Sequence, residues 1–187
     1  LKALADACKK QQQVAHISLS GGSTPKHLFQ FLFETVYKNS IHWDYLHFWW
    51  GDERCVAPDH VDSNYGAAYR LLLQHIDIPP ENIHRIRGEG STDQEALRFS
   101  AEMTRLMPVV NGRPQFDWII LGMGEDGHTA SLFPGQTDYE TELDAVAVFH
   151  PKTKQARISM TAPLISNSKK VSYLELGKTK QEMVKSC

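Results

Sequence analysis

The sequence predicts an α/β domain in which helices flank a mainly parallel sheet. Short, continuous apolar segments alternate with helix-like segments along the chain, which is typical of strands buried on both faces between helices. The chain has 187 residues, of which 41% are hydrophobic and 22% are charged, a composition that suits one globular core. Because no internal repeat, low-complexity tract or linker divides it, we expect residues 1–187 to form a single domain.

The first predicted strand and helix are joined by a glycine-rich turn. We expect a buried strand from Val14 to Ser20, followed by a helix that reaches about Tyr37. Thr24 can cap this helix, and Pro25 suits its first turn because proline needs no backbone donor there. The expected buried stripe has the spacing i, i+3, i+4, i+7 and consists of Leu28, Phe31, Leu32 and Thr35.

The middle of the chain predicts a second strand at 46–50 and a helix that Ser63 caps and that runs to about His75. A short strand is possible at 83–86. Ser91, with Gln94 three residues later, resembles a capping box that opens a helix to about Met107. The aromatic cluster formed by Trp43, Phe48, Trp49 and Trp50 is interpreted as core.

The last third of the chain contains the most apolar predicted strand, from Phe116 to Gly122. Further strands are expected at 145–149, 157–161 and 170–176, and a last helix after Gly177.

Composition argues against several classes of function. A formal net charge of −2 gives no overall attraction to nucleic acid or to an anionic membrane, although a few local basic residues suffice for a small anion. The cysteines Cys8, Cys55 and Cys187 fit neither a disulfide framework nor a zinc site, which favours a reducing, cytoplasmic compartment. No apolar run approaches the ~18 residues of a membrane span.

Three polar, glycine-rich segments follow predicted strands. They are SGGSTP at 20–25, GDER at 51–54 and GMGEDGH at 122–128. Ligands of parallel α/β sheets collect at the carboxyl ends of the strands, where such loops meet. The location of a site is therefore predicted before any chemistry is assigned to it.

The first of these loops has the features of a phosphate site. Gly21 and Gly22 allow the backbone to approach an anion, and the helix that follows offers free N–H groups. Hydroxyl donors are available on Ser20, Ser23 and Thr24. The Gly-Lys-Ser/Thr ending of a nucleotide-binding P-loop is absent. At this stage a tight turn with a helix cap explains the loop equally well.

The other two loops carry candidates for acid–base chemistry. His128 is suited to act as a general base, and Asp126 can orient its ring. Asp52, Glu53 and Arg54 can bind a polar substrate or serve acid–base chemistry, or they can form a solvated turn with a local ion pair. No second histidine or cysteine lies near His128 at zinc-ligand spacing. The spacing GMGEDG matches a dinucleotide fingerprint, but the helix and ribose-binding acid that should follow are missing.

Two basic residues in the last part of the chain complete the set of candidate site residues. Arg157 and Lys178 stand near predicted strand ends, and each alone is most simply a surface charge. Together they can complete a phosphate site, with a guanidinium fork and an ammonium point charge. The other histidines show no metal pattern and are interpreted as structural: His16, His27, His42, His47, His60, His75, His84 and His150.

Taken in order, these motifs resemble the 6-phosphogluconolactonase family over nearly the whole chain. The combination of GDER at 51–54, DSN at 62–64 and LGMGEDGHTASLFP at 121–134 is specific, although no single motif is. The resemblance implies a Rossmann-like sheet and hydrolysis of 6-phospho-D-glucono-1,5-lactone to 6-phosphogluconate in the pentose phosphate pathway. It implies a carboxylic ester hydrolase that uses neither a metal nor a nucleotide cofactor.

The resemblance also implies roles for individual residues. His128 would take a proton from the attacking water, and Asp52 and Arg54 would contact the substrate near the ring or the phosphate. The phosphate would be held by Ser20, Gly21, Gly22, Ser23, Thr24, Arg157 and Lys178.

Other functions stay open at this point. The related glucosamine-6-phosphate deaminases carry DEY where this chain has DER, and an acid where this chain has Phe133. A non-catalytic sugar-phosphate-binding module would keep the phosphate loop but would need no base. Lactonase domains can also be fused to a dehydrogenase, and by comparison with the family both ends of this chain are expected to be incomplete. The oligomeric state is not predicted.

Overall fold

A computed structural model describes residues 1–34, 36–124 and 126–176 of the chain. The helices are α1 Lys2–Gln11, α2 Ser23–Glu34, α3 Tyr37–Ser40, α4 Asn64–Leu71, α5 Thr92–Leu106 and α6 Ala162–Ser166. The strands are β1 Ala15–Leu19, β2 Leu46–Trp50, β3 Asp52–Arg54, β4 Val109–Val110, β5 Arg113–Pro114, β6 Trp118–Leu121, β7 Ala145–Phe149, β8 Ala156–Met160 and β9 Val171–Tyr173. Short 3₁₀ turns lie at Trp43–Tyr45, Leu73–His75 and Pro80–Asn82.

The central sheet is parallel and has the strand order β2-β1-β6-β9. Strand β1 lies inside it, with Ile17 opposite Phe48 on one side and Trp118 on the other. All five residues of β1 are buried, as expected for a strand covered by helices on both faces. The predicted α/β fold with a mainly parallel central sheet is confirmed.

A second sheet is antiparallel and has the order β3-β8-β7. The sequence predicts β7 and β8 as strands but does not predict this separate sheet. The six residues between Phe149 and Ala156 are too few for the crossover that a parallel pair requires, so β7 and β8 form a hairpin. Because β3 follows β2 after only Gly51, this sheet begins at the carboxyl edge of the central sheet.

The core lies between the central sheet and its helices. Phe48, Trp49 and Trp50 are each 0% exposed, which confirms that the aromatic cluster is core. Neighbouring core residues include Ile17, Phe99, Met103, Phe116 and Ile119. No helix in the described part of the chain combines the length and apolar character needed to cross a bilayer.

Several predicted elements differ from the structure in detail. The helix expected to reach Tyr37 ends at Glu34, and Phe31 of its expected buried stripe is exposed. Ser63 caps α4 as predicted, accepting a hydrogen bond from Gly66 N at 2.9 Å.

Two further expectations fail. The Ser91 side chain makes no capping bond to α5. In the segment 83–86, only an isolated bridge between Ile83 and Phe48 forms. The helix expected after Gly177 lies outside the described residues.

Candidate active site

The three glycine-rich segments converge, as predicted, at the carboxyl edge of the central sheet. They surround an open cavity of about 320 Å³. The predicted site residues in its wall are Ser20, Gly21, Gly22, Ser23, Thr24, Asp52, Arg54, His128 and Arg157. Asp126 joins them through a hydrogen bond to His128. Lys178 lies outside the described residues.

The loop between β1 and α2 lines the cavity and is packed closely against neighbouring elements. Gly22 has a φ of +102°, a left-handed conformation that glycine adopts without steric cost. A Cβ on Gly21 would lie 1.8 Å from Asn64 Oδ1, so the loop packs directly against the start of α4. The Ser20 hydroxyl donates to Ile120 O at 2.5 Å and accepts from Gly122 N at 3.2 Å. That hydroxyl therefore joins the ends of β1 and β6.

Two arginines face the cavity from adjacent strands. Arg54 and Arg157 are directly opposite each other in the antiparallel pair β3–β8. Arg54 Nη1 donates to Asp62 O at 2.8 Å, which orients that guanidinium. Within the described residues, the buried Nε of each arginine has no hydrogen-bond partner.

The electrostatics of this pair favour an anion. Burial, and then the charge of Arg54, lower the pKa of Arg157, but a guanidinium remains charged at neutral pH. Two neighbouring cations with free donors suit the bidentate recognition of a phosphate or a carboxylate.

Asp52 is a buried carboxylate within a hydrogen-bond network. Its Oδ2 accepts from Ser131 Oγ at 2.7 Å, and its Oδ1 lies 3.3 Å from Asn64 Nδ2. Arg157 Nη1 lies 3.9 Å from Asp52 Oδ2. Asp52 is 6% exposed, and its carboxylate joins Ser131 and Asn64 beside the arginine side of the cavity.

Glu53 points away from the cavity and joins two of the sequence motifs. Its carboxylate accepts from the backbone N–H groups of Arg54, Asn64 and Tyr65, each at 2.8 Å. It also accepts from Ser63 Oγ at 3.0 Å. Burial raises the pKa of Glu53, and the three backbone donors oppose that shift. This carboxylate fixes the start of α4 against β3, so GDER and DSN form one unit.

His128 and Asp126 form the predicted pair. His128 Nδ1 lies 2.5 Å from Asp126 Oδ1. Since a carboxylate accepts, Nδ1 carries the proton, and the lone pair of neutral His128 is on Nε2. Burial raises the pKa of Asp126, but the hydrogen bond and charge of His128 outweigh it, so this pKa lies below its usual value. A Cβ on Gly124 would lie 2.2 Å from His128 Cε1, so glycine is needed beside the imidazole.

Sequence reasoning gave no site role to seven further residues in the cavity wall. Six of them lie within the motifs described above, namely Pro25, Asn64, Gly122, Met123, Gly124 and Ala130. The seventh, Glu175, lies outside those motifs and was missed. Glu175 follows β9, and its Oε1 accepts a short hydrogen bond from Met123 N. Because β9 is parallel to β6, the rule that ligands gather at carboxyl strand ends also applies to Glu175.

The fold and this site define an α/β protein with a cavity whose charges suit a small anion. The site combines a glycine-rich helix start and an arginine pair with a carboxylate-oriented histidine. A family model described as glucosamine-6-phosphate isomerases/6-phosphogluconolactonase matches residues 1–187. The chain belongs to this family.

Individual relatives agree with the family match. The chain is 54% identical over 170 residues to a 6-phosphogluconolactonase of Haemophilus influenzae, covering 91% of this chain and 72% of that protein. A solved structure described as devB protein superposes with a TM-score of 0.93 at 54% identity, over 99% of this chain and 79% of its own. The 6-phosphogluconolactonase of Trypanosoma brucei superposes with a TM-score of 0.82 at 29% identity, over 97% and 77%.

Proposed function

We propose that the chain hydrolyses 6-phospho-D-glucono-1,5-lactone to 6-phospho-D-gluconate. The observation that carries this proposal is the shared cavity of the Arg54–Arg157 pair and the His128–Asp126 pair. An anion site beside a base suits a phosphorylated ester substrate. The 6-phosphogluconolactonase names of close relatives support the same reaction.

The base in this proposal is His128. With Nδ1 bonded to Asp126, the free lone pair on Nε2 accepts a proton from water as that water attacks the lactone carbonyl. The resulting tetrahedral intermediate breaks the bond between the carbonyl carbon and the ring oxygen. His128 then returns its proton to the ring oxygen, which leaves as a hydroxyl. A δ-lactone is an activated ester, so the scheme requires no covalent nucleophile.

The phosphate end of the substrate is assigned to the arginine side of the cavity. Arg157 supplies a guanidinium fork, and the backbone at the start of α2 supplies N–H donors to the same anion. Arg54 contacts the phosphate or the sugar ring, while the carboxylate of Asp52, 3.9 Å from Arg157 Nη1, partly balances the charge of Arg157. The family resemblance adds Lys178 as a further phosphate ligand.

A direct lactonase assay tests this function. Freshly prepared lactone is followed against its spontaneous hydrolysis with wild type, His128→Ala and His42→Ala, the last being a histidine with 39% side-chain exposure on another part of the surface. We expect rapid lactone loss with wild type and His42→Ala only. Glucosamine 6-phosphate serves as a parallel substrate. Release of ammonia from it, or no acceleration of lactone loss, would contradict the proposal.

A further inference from the structure

We infer that Phe133 is a positioning residue that holds the His128 imidazole and the Arg157 guanidinium in their working orientations. This inference rests on the proposed function and adds a residue to it. The phenyl ring of Phe133 lies next to His128, the proposed base, and next to Arg157, the proposed phosphate ligand. Its centroid is 4.9 Å from that of the His128 ring, and Arg157 Cζ lies 5.9 Å from it, over the ring.

The ring is itself held firmly. Phe133 is 3% exposed, and its carbonyl oxygen accepts from the backbone N–H groups of Gln136 and Thr137 at 3.1 and 3.2 Å. On the preceding side, Ser131 N donates to Ser159 Oγ at 3.1 Å. A third ring, His150, packs edge-on against Phe133 at 5.1 Å. Its burial and the His150 contact restrict the phenyl ring, and the backbone bonds fix the segment that carries it.

His128 needs support from this ring because its hydrogen bond to Asp126 does not fix the rotation of the imidazole plane. The bond to Asp126 sets the tautomer, but a single bond to an exposed carboxylate does not determine the plane of the imidazole. Contact with the Phe133 ring, at an interplanar angle of 46°, restricts that plane. The direction of Nε2 toward the attacking water follows from both contacts.

Arg157 depends on the ring for a different reason. Its polar contacts are long: Nη1 is 3.4 Å from Ser131 Oγ and 3.9 Å from Asp52 Oδ2, and Nη2 is 3.4 Å from Gln155 Oε1. Contacts of this length orient a guanidinium weakly. A cation over an aromatic face gains an electrostatic attraction that does not occupy its N–H donors. The ring therefore supports the guanidinium without competing with an anion for its N–H groups.

The test compares the same substitution at two buried phenylalanines. Phe133→Leu removes the supporting ring, whereas Phe116→Leu removes a core ring that is 0% exposed and packs on Trp49. Phe133→Met, which removes the ring but keeps most of its volume, provides a second variant should Phe133→Leu fold poorly. The readouts are kcat, KM and the inhibition constant of inorganic phosphate.

We expect kcat of both Phe133 variants to fall about tenfold or more, because the base loses its orientation. KM and the phosphate inhibition constant should rise about threefold, because Arg157 loses its support. Phe116→Leu should lower the melting temperature and leave the kinetic constants within about twofold of wild type.

Two outcomes would overturn the inference. One is wild-type kcat and phosphate inhibition in both Phe133 variants, and the other is equal kinetic losses in Phe116→Leu. If wild type does not accelerate lactone hydrolysis, the proposed function fails by itself. Calorimetric binding of inorganic phosphate then decides the Arg157 half of the inference: weakening confined to the Phe133 variants supports it, and equal binding in all variants contradicts it.

Discussion

His128 lines the cavity with its Nδ1 bonded to Asp126, so the lone pair of the neutral ring is on Nε2, as the proposed base requires. Asp126→Asn places an amide where the carboxylate accepted. The amide can donate to Nδ1 and thereby favour the tautomer with its proton on Nε2, which cannot accept from water. We expect kcat to fall between about 10²- and 10⁴-fold with little change in KM. The Asp126 side chain is 42% exposed, so water can partly replace the lost carboxylate as a partner of Nδ1. We therefore expect a loss nearer to about 10²-fold than to about 10⁴-fold.

Steady-state kinetics of Asp126→Asn should be measured beside Asp138→Asn. Asp138 is an exposed carboxylate on a later loop, where it accepts only from Glu140 N among the described hydrogen bonds. Activity equal to wild type in Asp126→Asn would mean that the imidazole needs no carboxylate partner.

Arg157 is expected to act in binding more than in the chemical step. Arg157→Ala removes one of two guanidiniums that face the cavity and leaves the His128–Asp126 pair intact. A lost contact that the ground state and the transition state share raises KM and leaves kcat nearly unchanged. We expect KM to rise about tenfold or more. Arg105→Ala, at an exposed position near the end of α5, is the matched control. An unchanged KM in Arg157→Ala would remove this residue from the site.

Single residues differed in how well the sequence predicted them. His128 and Arg54 follow strand ends inside glycine-rich motifs, so pattern and resemblance both pointed to the cavity. Glu53 stands between two site residues, yet it faces the opposite side because side chains alternate along a strand. Its partners lie in a separate motif, and no local pattern predicts that pairing. Ser20 carries a hydroxyl that phosphate could use, but the junction of β1 and β6 engages it.

At the scale of elements, Glu53 holds the junction between β3 and α4. Glu53→Gln keeps the shape but replaces one acceptor oxygen by an NH₂ group that faces N–H and O–H donors. We expect the free energy of unfolding to fall by about 2–4 kcal/mol, because a buried network loses an acceptor. Urea denaturation of Glu53→Gln and of Glu142→Gln, an exposed glutamate, measures this. Equal stability of the two variants would contradict the role of Glu53.

Elements with a strong local pattern were predicted closely. The strands at 46–50 and 145–149 have the expected bounds, since short apolar runs between polar turns allow little else. The antiparallel sheet was not predicted, because pairing between β3 and β8 joins residues about one hundred positions apart. Ser91 has the residue type of a cap but makes no capping bond. Nearby, Glu95 bonds to Arg87 N and to Arg98, contacts that the capping-box pattern does not include.

At the scale of the whole molecule, a group of buried and partly buried histidines links folding stability to pH. His16 accepts from Trp49 Nε1, and His47 Nδ1 lies 2.9 Å from His84 Nε2. Burial is the largest cause that lowers the pKa of His16 and of His47 to about 4, and neighbouring histidines lower both further. The sequence-based interpretation of these residues as structural agrees with their burial. We therefore expect the titration of these histidines to affect the stability of the fold and not the chemistry of the cavity, whose wall does not include them.

The sign of the pH effect follows from these two histidines. An unfolded chain protonates histidine near pH 6.5, whereas the folded chain resists protonation until about pH 4. The unfolded state therefore binds more protons between those values, and the free energy of unfolding decreases as the pH falls from 6.5 to 4. For a fully shifted histidine the loss is at most on the order of 3 kcal/mol. Glu102, whose pKa the hydrogen bond from His84 lowers to about 2, adds a further loss between about pH 4.5 and 2.

Replacing one of these histidines should make the free energy of unfolding depend less on pH. In His47→Gln one group no longer titrates, so the difference in unfolding free energy between pH 7 and pH 4.5 should become smaller than in wild type. His42→Gln, at the more exposed histidine, should keep the wild-type difference. Urea denaturation at the two pH values measures both variants. If this difference in unfolding free energy is as large in His47→Gln as in wild type, another group causes the loss of stability in acid. Glu102→Gln then separates the contribution of this carboxylate below pH 4.5 from that of the histidines.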